Sequence, residues 1–553
     1  MKYMKQFMLL AVLLAVCIVP VQLFGQASDT LTVTAGGNDL NTIIEGDTLA
    51  DGTRAHHVYK LVTLDKTYKF SGAITVGDNI TVIGVVDPTT GRPPCIQPAV
   101  LEDGSIPGTL FNLNGANTNA TFKNLYFLAL ATNNTANGGG IAIQVTANNI
   151  RLTVDKCIFD GWQTFAIGYN GQWDDFFITH CNFRNMVHPN QWYIGEVIRN
   201  MWPGTAYTDT MSMVGNTMLA VNGYAACPVT KYYTSYFEFL DNKVLYTFKN
   251  PMFIFNVTNA KINNNVFYGT YAGGVSHAEN PWWDNLWSPD TTYGVISLDS
   301  LNLDNAKIFC PADSSSPNIR SIAEAARTVE VKNNTYFWPK ALTDFWTAWN
   351  DTATSTSVLT ATWMNERTTA MFANKTTWPG LVESGNVNAD PGFMSALDND
   401  ILNGTTGNDV GLFEYFRQIR TGTAATDVWG YSMTQVSGDA DWVPTWPLPE
   451  MAPTPVIDDL KPAVPSSFSL SEVYPNPFNP SANIEYQLSE AGITNLGIYN
   501  VLGRRVMTLV DNEYKAANKY RVSFNMNNFP SGVYFVVLQQ NSNKSIKKMM
   551  LLK

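Results

Sequence analysis

A six-residue pattern recurs along the middle of the chain and constrains its fold more than any other feature. It consists of an apolar residue, two variable residues, Asn or Cys, any residue, and a second apolar residue. It reads TFKNLY around Asn124, VDKCIF around Cys157, ITHCNF around Cys181, MVGNTM at Asn216, FLDNKV at Asn242, INNNVF at Asn265 and VKNNTY at Asn334. The intervals are 33, 24, 35, 26, 23 and 69 residues, and the last is three times 23. A unit of about 22 to 26 residues, with occasional insertions of about ten, points to a solenoid. Its apolar segments are β-branched or aromatic and too short for helices, so each unit reads as one rung of a right-handed parallel β-helix.

Stacked parallel strands lie about 4.8 Å apart, which puts equivalent residues of successive rungs directly above one another. An Asn at a fixed turn position can adopt a left-handed backbone and hydrogen-bond to its neighbours as a ladder. Cys157 and Cys181 fall on that ladder in adjacent rungs, where a buried thiol stack is expected ahead of a disulfide. The segment from about Thr30 to Val387, opening with GDNITVIGVV, resembles the pectin lyase-like β-helix superfamily. That resemblance implies an all-β fold but not a chemistry, because the superfamily includes lyases, hydrolases, phage tailspikes and non-catalytic surface proteins.

The ends of the chain speak to its destination. Lys2 and Lys5 precede an apolar run from Phe7 to Val19, and Gly25-Gln26-Ala27 offers small residues for cleavage, so residues 1–27 read as a secretory signal peptide. No later segment is long and apolar enough to span a membrane. Five cysteines would remain after cleavage (Cys95, Cys157, Cys181, Cys227 and Cys310), without CxxC or Cys/His spacing, so no metal site is expected. The 553 residues are 45% hydrophobic, enough for a large core, and their net charge of -11 argues against nucleic acid as a partner.

Residues 28–387 are assigned to the β-helix and 388–450, from DPGF to WPLPE, to closing rungs and a cap. Residues 451–467 are Pro-rich and lack apolar periodicity, as a linker would. Residues 468–553 read as a small antiparallel, Ig-like β-sandwich, with strands at Ile484–Leu488, Leu496–Tyr499, Val522–Phe524 and Val533–Leu538. YPNPFNPS, IYNVLGRRV, FPSGVYF and the terminal KKMMLLK follow in order within this module. Together they resemble the type A sorting domain of type IX secretion cargo, with departures at Ser489 (usually Pro) and Asn518 (usually Gly). The resemblance implies passage through the inner membrane, recognition by an outer-membrane translocon, and a secreted or outer-surface destination. It places the sorting signal at Lys547, Lys548, Met549, Met550, Leu551, Leu552 and Lys553.

Candidate chemistry is sparser. Lyases of this fold use a basic side chain beside a uronate carboxylate, neutralised by Ca²⁺ or by a basic residue. The densest cluster runs from Asp155 to Arg199, and its 24-residue offset sets Lys156 beneath His180 and Asp160 beneath Arg184. Two readings fit: a base-and-carboxylate site on an exposed face, or an Asp160–Arg184 ion pair with Lys156 and His180 as solvated turn residues. Asp174 and Asp175 are adjacent in sequence and would point to opposite faces of a strand, a poor arrangement for the paired carboxylates of a hydrolase. Trp282, Trp283 and Trp287, in a long insertion, suit either sugar rings or packing against the coil. His56, His57 and His277 are assigned no role. The favoured reading is a non-catalytic surface protein that is adhesive or binds extracellular polysaccharide and needs no cofactor. The alternative is a polysaccharide lyase or glycoside hydrolase, and Ca²⁺ is implied only there.

Overall fold

A computed structural model of the chain describes residues 29–391 and 467–552, apart from 65, 90, 134–139, 187, 189–193, 202–206, 222–232, 271–292, 353–360, 472, 474–475, 490–491, 516–518 and 541–542. The chain divides into two compact units, Met1–Glu450 and Met451–Lys553. The signal peptide, all but residues 388–391 of the closing rungs and cap, and most of the linker, together with Cys227 and His277, therefore lie outside the described residues.

The first unit is a parallel β-helix. One sheet stacks eleven parallel strands from Thr30–Val33 to Leu381–Ser384, and a second stacks ten from Tyr68–Phe70 to Val387–Asn388. The third face is shared by a five-stranded sheet, Ile74–Val76 to Glu196–Asn200, and a three-stranded one, Met252–Ile254 to Ala361–Met364. Inward-pointing residues of all three faces meet in one core. Equivalent rings stack there: Phe127, Phe159 and Phe183 have centroids 4.8 and 4.9 Å apart, the spacing of the strands that carry them. Leu40 and Ile44, on the helix Leu40–Gly46, are buried in the same core near its N-terminal end.

The turn between the first two sheets explains the sequence repeat. Asn124, Lys156, His180, Gly215, Asp241, Asn264, Asn333 and Gly385 form a column with φ between 53° and 69°. The residue after each is buried, except Asn386, which is half-buried, and from Asn216 onward it is an Asn whose amide bridges rungs. Asn216, Asn242, Asn265 and Asn334 each donate from both backbone N and side-chain Nδ2 to the Oδ1 of the next rung's Asn, at 2.8–3.1 Å. Each Nδ2 also reaches a backbone carbonyl: Ile178, Met213, Phe239 and Ile262 respectively. Buried amides in an apolar coil thus find partners for both ends of the group. Cys157 and Cys181 are free thiols on the same line, and the Cys157 N–H points at Cys181 Sγ, 3.4 Å away.

Three details correct the repeat. Register pairs Asp155 with Lys123, so Asn124 belongs to the left-handed column and Leu125 to the ladder; the first interval is 32 residues. The 69-residue interval is a single rung, because Val266–Tyr268 pairs directly with Thr335–Phe337. Its added length includes the helices Leu303–Phe309 and Ile319–Ala326. The ladder also continues to Asn386, which carries no apolar flank because Glu383 and Asn388 stand where the pattern has apolar residues.

The second unit is antiparallel. Ser469–Leu470, Ser481–Gln487 and Lys519–Asn525 form one sheet, and Arg505–Lys515, Gly492–Asn500, Gly532–Gln540 and Asn543–Leu551 form the other, in that spatial order. Their apolar faces share a core that includes Phe478, Tyr486, Ile498, Val536, Met549 and Leu551.

Candidate functional site

The lyase-like set does not assemble on an open face. Asp160 and Arg184 pair in register and are each 1% exposed, with Arg184 Nε 2.6 Å from Asp160 Oδ2. Tyr126 donates its hydroxyl to the same oxygen at 2.6 Å, and Asn185 Nδ2 donates to Oδ1 at 2.9 Å. Burial works against the Arg184 charge, yet Asp160 and Tyr126 raise its pKa above the ordinary value. Such a closed, hydrogen-bonded pair joins two rungs and is withdrawn from solvent. Glu196 is enclosed likewise, between Lys249 Nζ at 3.0 Å and Arg199 Nη1 at 2.6 Å.

Lys156 and His180 are exposed but sit on the left-handed column, where backbone geometry sets their positions. His180 Nδ1 lies 3.5 Å from Asp155 Oδ1. Partial burial opposes ionisation of Asp155, but the Lys123 ammonium and the Thr179 hydroxyl hold its carboxyl below the usual carboxylate range. Trp282, Trp283 and Trp287 lie outside the described residues. Trp338, on the coil itself, packs against the core and donates its indole N–H to Thr270 O at 2.9 Å.

What the fold does present is a corner between the third face and the first sheet. A second left-handed column runs there through Asn117, Asn149 and Trp173, with φ of 60°, 57° and 62°. Asn tolerates this conformation because its short side chain hydrogen-bonds locally, and Asn149 Nδ2 does donate to Asn117 Oδ1 at 3.1 Å. Trp has no such compensation, and a bulky residue there is an outlier. The strand Gln172–Thr179 breaks register on either side of Asp174, a bulge that re-aims the neighbouring side chains. Trp173 is 38% exposed and stacks on Tyr207, with centroids 5.2 Å apart at 25°, while Tyr233 meets it edge-on. On the same sheet the Arg151 guanidinium lies 4.3 Å from the centre of the Phe177 ring.

Carboxylates flank this platform. Asp174 is fully buried; its Oδ1 accepts the Ile150 N–H at 2.9 Å, and its Oδ2 has no partner among the described residues. Burial pushes the Asp174 carboxyl up to about 7, opposed by the Ile150 amide and assisted by Asp175 and Asp209. Asp209 is raised too, by burial and then by Asp175. Asp174 is inward and Asp175 half-buried, so the two diverge, and no described group of three His, Cys, Asp or Glu is arranged to hold a metal ion. Sequence reasoning missed Trp173, although one signal was available: Trp173 lies 24 residues after Asn149, the interval that separates Cys157 from Cys181.

The sorting-signal residues divide in two. Met549 and Leu551 are fully buried, whereas Lys548 is exposed and Leu552 is 50% exposed; Lys553 lies outside the described residues. Residues 472–552 match the family model of the secretion system C-terminal sorting domain. No curated protein matches the chain. The chain is therefore type IX secretion cargo, exported to the cell surface or extracellular space, and its tail engages the secretion system. Among the described residues no helix is long and apolar enough to cross a membrane.

Proposed function

We propose that the exported β-helix is a non-catalytic surface protein that holds neutral polysaccharide against the Trp173 corner, and that residues 1–27 are its cleaved signal peptide. One observation carries this reading: an exposed Trp occupies a left-handed position that the two preceding rungs fill with Asn. Local strain that the fold does not need is a mark of function. A flat Trp–Tyr surface suits the apolar face of a sugar ring, and the exposed amides of Asn117 and Asn149 beside it suit hydroxyls. Asp175 and Asp209, in a chain of net charge -11, disfavour polyuronates. The lyase alternative needs a base and carboxylates on an open face, and Asp160, Arg184 and Asp174 are enclosed.

Trp173→Asn tests the reading, because Asn suits the backbone there and removes only the ring. In pull-downs with insoluble neutral polysaccharides, the variant should bind roughly tenfold more weakly than the wild-type protein while melting no earlier. Equal binding by the two proteins would remove the site.

A further inference from the structure

Among the described residues of the sorting domain, three of the five exposed large apolar residues, Val501, Leu502 and Leu552, lie at one end of its four-stranded sheet, whereas Ile493 and Ile546 lie apart from them. The hairpin joining Gly492–Asn500 to Arg505–Lys515 carries Val501 and Leu502 at its tip, 67% and 75% exposed. Tips of this kind are ordinarily polar, and nothing in the turn calls for apolar residues. It is nevertheless firmly built. Asn500 Oδ1 accepts the N–H groups of Leu502 and Arg504, both at 3.0 Å, Asn500 N donates to Arg504 O, and Gly503 takes the left-handed conformation at φ 73°. Two apolar side chains are thus held in water on a preorganised support, with Arg504 and Arg505 exposed next to them.

Register places this tip beside the end of the chain. Asn500 pairs with Tyr534 and Tyr534 with Met549, so the tip projects at the level where the last strand ends in Leu551 and the half-exposed Leu552. Two inter-strand spacings, about 10 Å, separate them across the sheet. Met549 and Leu551 are locked in the core, so a partner that meets the folded domain cannot read them. What it can read at this end is Val501, Leu502 and Leu552, rimmed by arginine.

We propose that this end of the sheet docks on the type IX translocon, with Val501 and Leu502 entering an apolar pocket whose acidic rim meets Arg504 and Arg505. The inference rests on the sorting-domain match and is independent of the polysaccharide reading. A few residues in well-packed, desolvated pockets carry most of an interface's affinity, and arginine is prominent among them.

The test uses the full chain in a cell competent for type IX secretion, comparing exported with retained protein. Val501→Asp and Leu502→Asp should lower the exported fraction about tenfold. Ile546→Asp is the control: Ile546 is 52% exposed but pairs with Val537, about 17 Å along the strand from Leu551. It should leave export unchanged. Export of Leu502→Asp at the wild-type level would overturn the proposal, and so would an equal loss with Ile546→Asp. If Leu502→Asp lowers the melting temperature of the purified chain, the uncharged Leu502→Gln decides by the same criterion.

Discussion

At the scale of single residues, the platform corner couples a strained aromatic to a carboxyl that the fold prefers as an acid. The Asp174 carboxyl lies near 7 in the folded chain, against an ordinary value of 3.8. Between those values the folded chain binds a proton that the unfolded chain has released. Its contribution is fully present below about pH 4 and is lost as pH rises through about 7, a decline of up to roughly 4 kcal/mol. Asp174→Asn keeps an acceptor for the Ile150 N–H and removes the titration. Melting temperatures at pH 5 and pH 8 should diverge in the wild-type protein and draw together in the variant; parallel slopes in both would show that another group titrates. None of this was legible in the sequence. Adjacent aspartates there say only that they diverge, and the bulge that buries the first depends on the neighbouring rungs.

At the scale of elements, the coil depends on buried amides that are satisfied by one another and by backbone carbonyls of neighbouring strands. Asn242 accepts from the backbone and side chain of Asn216, and donates to Met213 O and to Asn265 Oδ1. Asn242→Ala strands the Asn216 amide groups and the Met213 carbonyl in the core, so it should destabilise the protein by about 2–3 kcal/mol, read from denaturant unfolding. An unchanged midpoint would mean that water or a shifted neighbour fills the gap. The ladder was largely legible because a buried turn position repeats one residue type. Its ends were not. Leu125 replaces the amide where the pattern begins, and the apolar flanks fade at Asn386, where the last strand is exposed along most of its length. Equating 69 residues with three rungs also failed, because insertions between strands obey no period.

At the scale of the whole molecule, the sorting domain and the coil to which we assign polysaccharide binding are separate compact units. The sorting domain was legible as four ordered motifs, since turns and a terminal strand leave local signatures. The register that sets Leu502 level with the chain's end is a property of the folded sheet and appears in no motif. The Asp160–Arg184 offset was likewise correct as a register, whereas its burial was invisible, because exposure depends on what covers the sheet. The central claim is that the exported coil binds polysaccharide without cleaving it. Incubating the purified protein with neutral and uronate polysaccharides, while monitoring ultraviolet-absorbing unsaturated ends and retention on the polymer together, tests it most directly. The account predicts retention on neutral polymers that Trp173→Asn weakens roughly tenfold, with no unsaturated product from any. Accumulation of unsaturated ends would contradict it.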